Sequence, residues 1–162
     1  MVQLVVIAGS GSGVGKTLLG EGLVEALAVQ GVRVAVVKHV HHGVDYRVKD
    51  TGRYMAAGAR RVLAVGPDSY MLVERGRLSF WDAVDMAVES GADAVIVEGF
   101  REMLAEALAA GGCGVYIGSW EDVGELGGVG RLVVVEPGRA LDAKDDVLAL
   151  LLKGRCRVEG VP

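Results

Sequence analysis

The sequence predicts an α/β protein with a doubly wound, mainly parallel sheet, helices on both faces and one antiparallel hairpin. Three observations predict it. Short, nearly continuous apolar runs alternate with stretches of helical periodicity, as expected for strands covered on both faces by helices. The first apolar run passes through a glycine-rich segment straight into a helix-like run. A third feature is the Gly66-Pro67-Asp68-Ser69 turn signal, flanked by two short strand-like runs, which calls for a hairpin.

The elements follow in order. Leu4 to Ala8 reads as a buried strand. Residues 17 to 30 read as a helix with Leu19, Leu23, Ala26 and Leu27 on one face, the i, i+4, i+7, i+8 spacing of an apolar stripe. Gly31 ends it as a left-handed cap suits glycine. Val32 to Lys38 is a second strand, residues 39 to 50 a polar loop, and Thr51 to Ala57 a short helix closed by Gly58. Arg61 to Val65 and Tyr70 to Glu74 form the hairpin. Ser79 caps a helix through Val88, with Phe80, Ala83, Val84 and Ala87 as its apolar stripe. Ala94 to Val97 is a buried strand, residues 101 to 110 a helix, Val115 to Ile117 and Leu132 to Val135 further strands, and Ala140 to Leu152 a closing helix. Residues 118 to 130 read as loop with no assigned role.

Between the first strand and helix lies Gly9-Ser10-Gly11-Ser12-Gly13-Val14-Gly15-Lys16-Thr17. Strand, glycine-rich loop, Gly-Lys-Thr and helix make a phosphate-binding P-loop, and the fold a P-loop NTPase type. Glycines let successive N–H groups of Gly11, Ser12, Gly13, Val14 and Gly15 curl towards one anion. The helix start adds orphan donors and the positive dipole end. Lys16 reaches the β- and γ-phosphates, and the Thr17 hydroxyl serves Mg²⁺. The strict pattern wants glycine where the chain has Ser10; Gly9 stands one place early.

With 162 residues the chain suits one domain, residues 1 to 162, with a sizeable core. It is 51% apolar, which excludes a disordered chain. No apolar stretch approaches the roughly 20 residues that span a bilayer, and the first strand lacks the basic start of a signal peptide. Net charge is −4, which argues against nucleic-acid binding. Residues 38 to 61 nevertheless carry six basic against two acidic side chains, a local excess suited to a phosphate-bearing ligand or acidic partner. Cys113 and Cys156 fit no metal-ligand spacing; as two lone thiols they point to the cytoplasm, and sequence leaves open whether they pair. The chain has no asparagine and two glutamines, a hint of a thermophilic source. The Asn-Lys-x-Asp element by which many GTPases read guanine is therefore absent.

Two further segments join the phosphate loop. Lys38-His39-Val40-His41-His42-Gly43-Val44-Asp45, with Lys49, Asp50 and Arg53 beyond, leaves the carboxyl end of a strand, where ligands of doubly wound folds collect. Lys38 and Lys49 suit phosphates and Asp45 the hydration shell of Mg²⁺; three histidines within four residues also suit a transition metal. The third segment, Asp93-Ala94-Val95-Ile96-Val97-Glu98-Gly99-Phe100, resembles a Walker B strand, with Glu98 as the acid facing Mg²⁺ or placing the attacking water. Asp93, at the other end of that strand, reads as structural.

The phosphate loop, the Lys-His-x-His-His loop with Lys49-Asp50-Thr51 and Ala57-Gly58-Ala59, and the Val-Glu-Gly-Phe strand end together resemble the molybdopterin-guanine dinucleotide biosynthesis adapter proteins, the MobB family. The likeness is good over residues 1 to 100 and thin beyond, where Arg101 replaces the usual Lys. The resemblance implies a GTP-binding, weakly hydrolysing, Mg²⁺-dependent homodimer that assists attachment of GMP to molybdopterin beside a guanylyltransferase. It implies that Lys38, His39, His41, Lys49, Asp50, Glu98 and Gly99 surround the nucleotide, with Lys16, Glu98 and Asp45 closest to the chemistry and Thr17, Glu98 and Asp45 serving the metal. Arg53 or Arg101 is a candidate arginine finger across a dimer. Two alternatives stand beside it: a small-metabolite kinase with Asp45 as base, and a metal-insertion GTPase using His39, His41 and His42.

Overall fold

The computed structural model describes residues 1–46 and 49–159. They form two compact units, Met1–His39 with Ser79–Pro162, and Val40–Leu78.

The first unit is built on a sheet of order β2-β5-β1-β6-β7. Its parallel strands are β1 (Val2–Gly9), β2 (Val34–Lys38), β5 (Ala94–Glu98), β6 (Cys113–Ile117) and β7 (Leu132–Val135). Alternating side chains divide the core in two. Leu4, Val6, Ala8, Val95, Val97 and Tyr116 face α3 (Phe80–Glu89) and α4 (Leu104–Ala109). Val5, Ile7, Ile96, Val115 and Ile117 face α1 (Lys16–Val29) and α6 (Lys144–Leu152). The period of two along each strand puts apolar side chains on both faces, which is why the runs read as continuous. The chain leaves β1 towards β2 on one side, while β6 and β7 lie on the other. The tip of β1 is therefore the topological switch point, where such sheets open a crevice for ligands.

Two predicted helices are subdivided. Residues 101 to 110 begin as a 3₁₀ turn (Arg101–Met103) before α4, and residues 140 to 152 as a 3₁₀ turn (Ala140–Ala143) before α6. Ser79 caps α3 as expected: its Oγ accepts from Asp82 N–H, and the Asp82 carboxylate accepts from Ser79 N–H, a reciprocal box. Residues 118 to 130 are more ordered than a loop, containing α5 (Trp120–Val123) and a 3₁₀ segment (Gly124–Gly128).

A strand absent from the sequence reading closes the unit. β8 (Arg157–Val158) pairs antiparallel with Val2 and Gln3 of β1. It fills the stretch of β1 before β6 begins pairing at Val5. The two cysteines, whose pairing the sequence leaves open, are joined there: Cys113 and Cys156 form a disulfide, with both residues fully buried. The fold brings the start of β6 beside the chain entering β8, a proximity that 43 residues of separation hide in the sequence.

The second unit holds α2 (Lys49–Ala56) and the hairpin of β3 (Arg61–Val65) and β4 (Tyr70–Glu74), with the hairpin's predicted bounds. Gly66 N–H donates to Ser69 O at 2.8 Å to close the turn. Among its described residues Thr51, Met55 and Val73 are buried. On the opposite hairpin face Leu63, Val65, Tyr70 and Leu72 are all exposed, Val65 by 76%.

Candidate functional site

The phosphate loop sits at the tip of β1. Ser10 N–H donates to Ile117 O at 3.0 Å, anchoring the loop to the neighbouring strand end. Gly13 and Gly15 have positive φ, 73° and 112°, the left-handed conformations that side chains resist. Ser10 is not among the positive-φ residues, so its Cβ carries no conformational penalty there. The glycine one place early has a separate reason. A Cβ on Gly9 would lie 2.8 Å from Val14 Cγ2, so the loop's own Val14 packs where a side chain would be. Lys16 Nζ donates to Gly11 O at 2.6 Å, which folds the ammonium back across the loop.

Glu98 ends β5 beside that loop. Thr17 Oγ1 donates to Glu98 Oε1 at 2.9 Å, and Lys38 Nζ stands 3.4 Å from the same oxygen. Sheet register makes this cluster: Glu98 is level with Ile7 of β1 and with Lys38 of β2. Thr17, Lys38 and Glu98, chosen separately from the sequence, thus meet at one point. The Glu98 side chain is only 15% exposed, so its charge is compensated by the Thr17 hydroxyl and the Lys38 ammonium rather than by bulk water.

The segment after Glu98 is held rigidly. Gly99 has φ 95°, and a Cβ there would lie 2.9 Å from His39 Cβ; glycine is required on both counts. Phe100 follows with φ 53°, rare for a bulky residue. Its ring stacks on His39 at 4.2 Å between centroids and meets Phe80 edge-on at 5.4 Å. Arg101 lies over the Tyr116 ring, 5.2 Å from its centroid, and burial pushes the Tyr116 phenol up.

His41, Asp45, Lys49 and Asp50 belong to the second unit. His41, Asp45 and Asp50 are exposed; the side chain of Lys49 lies outside the described residues, as does Arg47 of the basic stretch. Arg53 is on α2. Among the described residues no three His, Cys, Asp or Glu side chains gather as a metal site. Asp93 is held by Arg33 through bonds of 2.7 and 2.9 Å. The Arg33 guanidinium, first by hydrogen bonding, keeps the Asp93 carboxyl low, at about 2. This pair occupies the amino end of β5, away from Glu98.

Residues 118 to 130 hold a short helix in place of the expected loop. There α5 starts at a Ser119 N-cap, where Asp122 accepts from Ser119 N–H at 3.1 Å. Ser-Trp-Glu-Asp is a capping-box spacing, a signal that was present in the chain. A cleft of about 590 Å³ opens beside it at the ends of β6 and β7.

Comparisons with known proteins bear on the family and the fold. Residues 4–109 match the family model described as "MobB: Molybdopterin guanine dinucleotide synthesis protein B". Over 95 residues the chain is 34% identical to a molybdopterin-guanine dinucleotide biosynthesis adapter protein of Haemophilus influenzae, covering 56% of this chain and 53% of that one. The counterpart in Escherichia coli is 31% identical over 107 residues, 62% of this chain and 61% of that protein. These matches thus span roughly half to three-fifths of the relatives' lengths. Among solved structures, that of Bacillus subtilis MobB superposes with TM-score 0.62 at 22% identity, over 97% of this chain and 99% of that one. A MobB homologue from Bacillus stearothermophilus gives 0.59 at 22% identity, over 93% and 96%. At that identity the likeness establishes the fold.

Proposed function

The chain belongs to the MobB family, and on that premise we propose that it is a GTP-binding adapter in molybdopterin guanine dinucleotide biosynthesis. The observation that carries the nucleotide reading is the hydrogen bond from Thr17 to Glu98, made beside Lys16 at the tip of β1. A Walker-type site needs a hydroxyl and a carboxylate within reach of one cation, next to a lysine that meets phosphate.

The loop amides and the N-terminus of α1, a 14-residue helix, receive the phosphates. Lys16 Nζ exchanges Gly11 O for β- and γ-phosphate oxygens. Thr17 Oγ1 and Glu98 Oε1 are hard oxygen donors 2.9 Å apart, a set that fits Mg²⁺, which favours a few protein oxygens alongside phosphate and water. Bound there, Mg²⁺ supplies charge neutralisation for the β- and γ-phosphates. Lys38 Nζ, 3.4 Å from Glu98 Oε1, helps hold that side chain in place. Hydrolysis is slow, because among the described residues none of the side chains gathered at Glu98 is an arginine. A donated arginine accelerates such reactions by on the order of 10³–10⁵.

The adapter works as a homodimer beside a molybdopterin guanylyltransferase. The exposed apolar side chains of Leu63, Val65, Tyr70 and Leu72 on one hairpin face support self-association, since grouped exposed apolar residues mark interaction sites. Among the described residues no helix is long and apolar enough to cross a membrane. The cytoplasm supplies the nucleotide. The disulfide, uncommon there in mesophiles, is in keeping with a thermophilic source, as is the lack of asparagine.

The test is equilibrium binding of GTP and ATP, with and without Mg²⁺, to the wild type and Lys16→Ala. GTP should bind at least tenfold tighter than ATP. Lys16→Ala should lose about 10- to 150-fold, the worth of a charged hydrogen bond. A preference for ATP would sink the adapter reading.

A further inference from the structure

The phosphate loop accounts for a triphosphate but not for a base, and the chain lacks the asparagine of the usual guanine-reading element. The base has two ways to leave the tip of β1. On the β5–β2 side the strand ends carry Glu98, Lys38 and the His39–Phe100 stack. On the β6–β7 side lies the 590 Å³ cleft, a size suited to a small ligand.

One wall of that cleft begins next to the phosphate loop. The chain enters it at Gly118, directly after Ile117, whose carbonyl accepts from Ser10 N–H. The segment after β7 also abuts the loop: a Cβ on Gly15 would fall 2.7 Å from Ala140 Cβ. One wall of the cleft therefore starts next to a residue bonded to the phosphate loop, and the chain leaving the other wall packs against it three residues on.

Its lining includes Trp120, Glu121 and Glu136. Trp120 rests on Gly127, where a Cβ would come within 2.9 Å of its ring. Glycine there admits the indole against the backbone. The residue is still 58% exposed, so the ring is braced on one side and open on another. A braced, open aromatic is a stacking platform for a base. Glu136 stands at the tip of β7 and its own carbonyl accepts from Arg139 N–H at 3.0 Å, which fixes the turn that carries it. An ionised carboxylate is an acceptor only. Guanine offers N1–H and the N2 amino group side by side, matching two carboxylate oxygens; adenine offers an unprotonated N1 at that edge, which repels one.

We propose that this cleft is the guanine subsite, with Trp120 stacking on the base and Glu136 accepting from its N1–H and N2 amino group. The inference rests on the GTP-binding reading and assigns its selectivity to residues of this chain.

Trp81 and Trp120 are the two tryptophans, and Trp81 donates to Glu106 on a different surface. In Trp81→Phe protein, emission reports Trp120 alone. GTP with Mg²⁺ should quench it, while tripolyphosphate should bind without quenching. Trp120→Ala should weaken GTP by roughly 5- to 150-fold, leave tripolyphosphate affinity unchanged as a check of folding, and be rescued in large part by Trp120→Phe. Glu136→Gln should bring the GTP-to-ATP affinity ratio close to one, whereas Glu121→Gln should preserve it. If the wild type prefers GTP, and Trp120→Ala leaves GTP affinity and Glu136→Gln leaves that preference unaltered, the subsite is wrong and the GTP reading stands. Loss of selectivity in Glu121→Gln alone overturns the role of Glu136. Failure of the wild type to bind GTP removes both.

Discussion

Reduction of the Cys113–Cys156 bond should lower stability by about 4 kcal/mol. The bond joins residues 43 apart; closing a loop of that size removes about 13 cal/mol/K from the unfolded chain, or about 4 kcal/mol at 25 °C. Locally the bond ties the start of β6 to the approach to β8. Leu4 N–H donates to Cys156 O at 2.7 Å, and Cys156 N–H to Gln3 Oε1 at 3.1 Å, so the bond also fixes β8 on β1. The measurement is urea unfolding by circular dichroism of oxidised protein, reduced protein and the Cys113→Ala/Cys156→Ala variant. With an m-value at the upper end of about 1–3 kcal/mol/M, the midpoint should fall by more than 1 M in the last two. Because both residues are buried, reductant should act on the native protein only as fast as the segment opens. Coincident unfolding curves for oxidised and reduced protein would refute the reasoning. So would two alkylatable thiols in denatured, unreduced protein.

Three other outcomes are expected. Glu98→Gln should weaken the Mg²⁺ dependence of GTP binding by about 10- to 100-fold while leaving the metal-free affinity nearly unchanged; equal loss with and without Mg²⁺ would count against its metal role. Asp93 should titrate near 2 by NMR, and Arg33→Ala should return it to the ordinary carboxylate range. Its folded-state value lies below the unfolded one, so its contribution is whole above about pH 4 and fades as pH falls towards 2; an Asp93→Asn variant with an unchanged acid limb would contradict this. Leu63→Lys, on the open hairpin face, should weaken self-association by about 10- to 150-fold, the worth of one buried leucine, in sedimentation analysis; an unaltered dimer would place the interface elsewhere.

The legible parts of the chain were those whose signals are local. The hairpin bounds follow from Gly66-Pro67-Asp68-Ser69 between two strand-like runs, and the start of α3 from the Ser79 cap, whose partner Asp82 lies within one turn. Lys16, Thr17 and Glu98 were legible because loop and strand-end motifs carry chemistry in their spacing. The rest depended on long-range geometry. β8 is two residues long and has no strand signal of its own; it forms because β6 leaves the first residues of β1 unpaired. The disulfide depends on the same vacancy. The ion contact from Lys38 to Glu98 comes from sheet register, with Lys38 chosen from sequence for phosphate instead. Ser10 looked like a defect because the motif is written for glycine there, whereas close packing in this loop places the need at Gly9, against Val14.

The family match and the proposed base cleft divide the site at an informative place. Residues 4–109 contain the phosphate loop, Lys38 and Glu98, so family membership bears directly on the triphosphate half. Trp120 and Glu136 lie beyond that stretch, on β6–β7 and its connections. The family match does not cover the residues proposed to read the base, a braced indole and one acceptor-only side chain. The two halves are separable by experiment: Lys16→Ala should lower affinity for GTP, ATP and tripolyphosphate alike, whereas Glu136→Gln should change only the ratio between the two nucleotides. A Glu136→Gln protein that lost tripolyphosphate in step with GTP would show that the carboxylate supports the phosphate loop instead of the base.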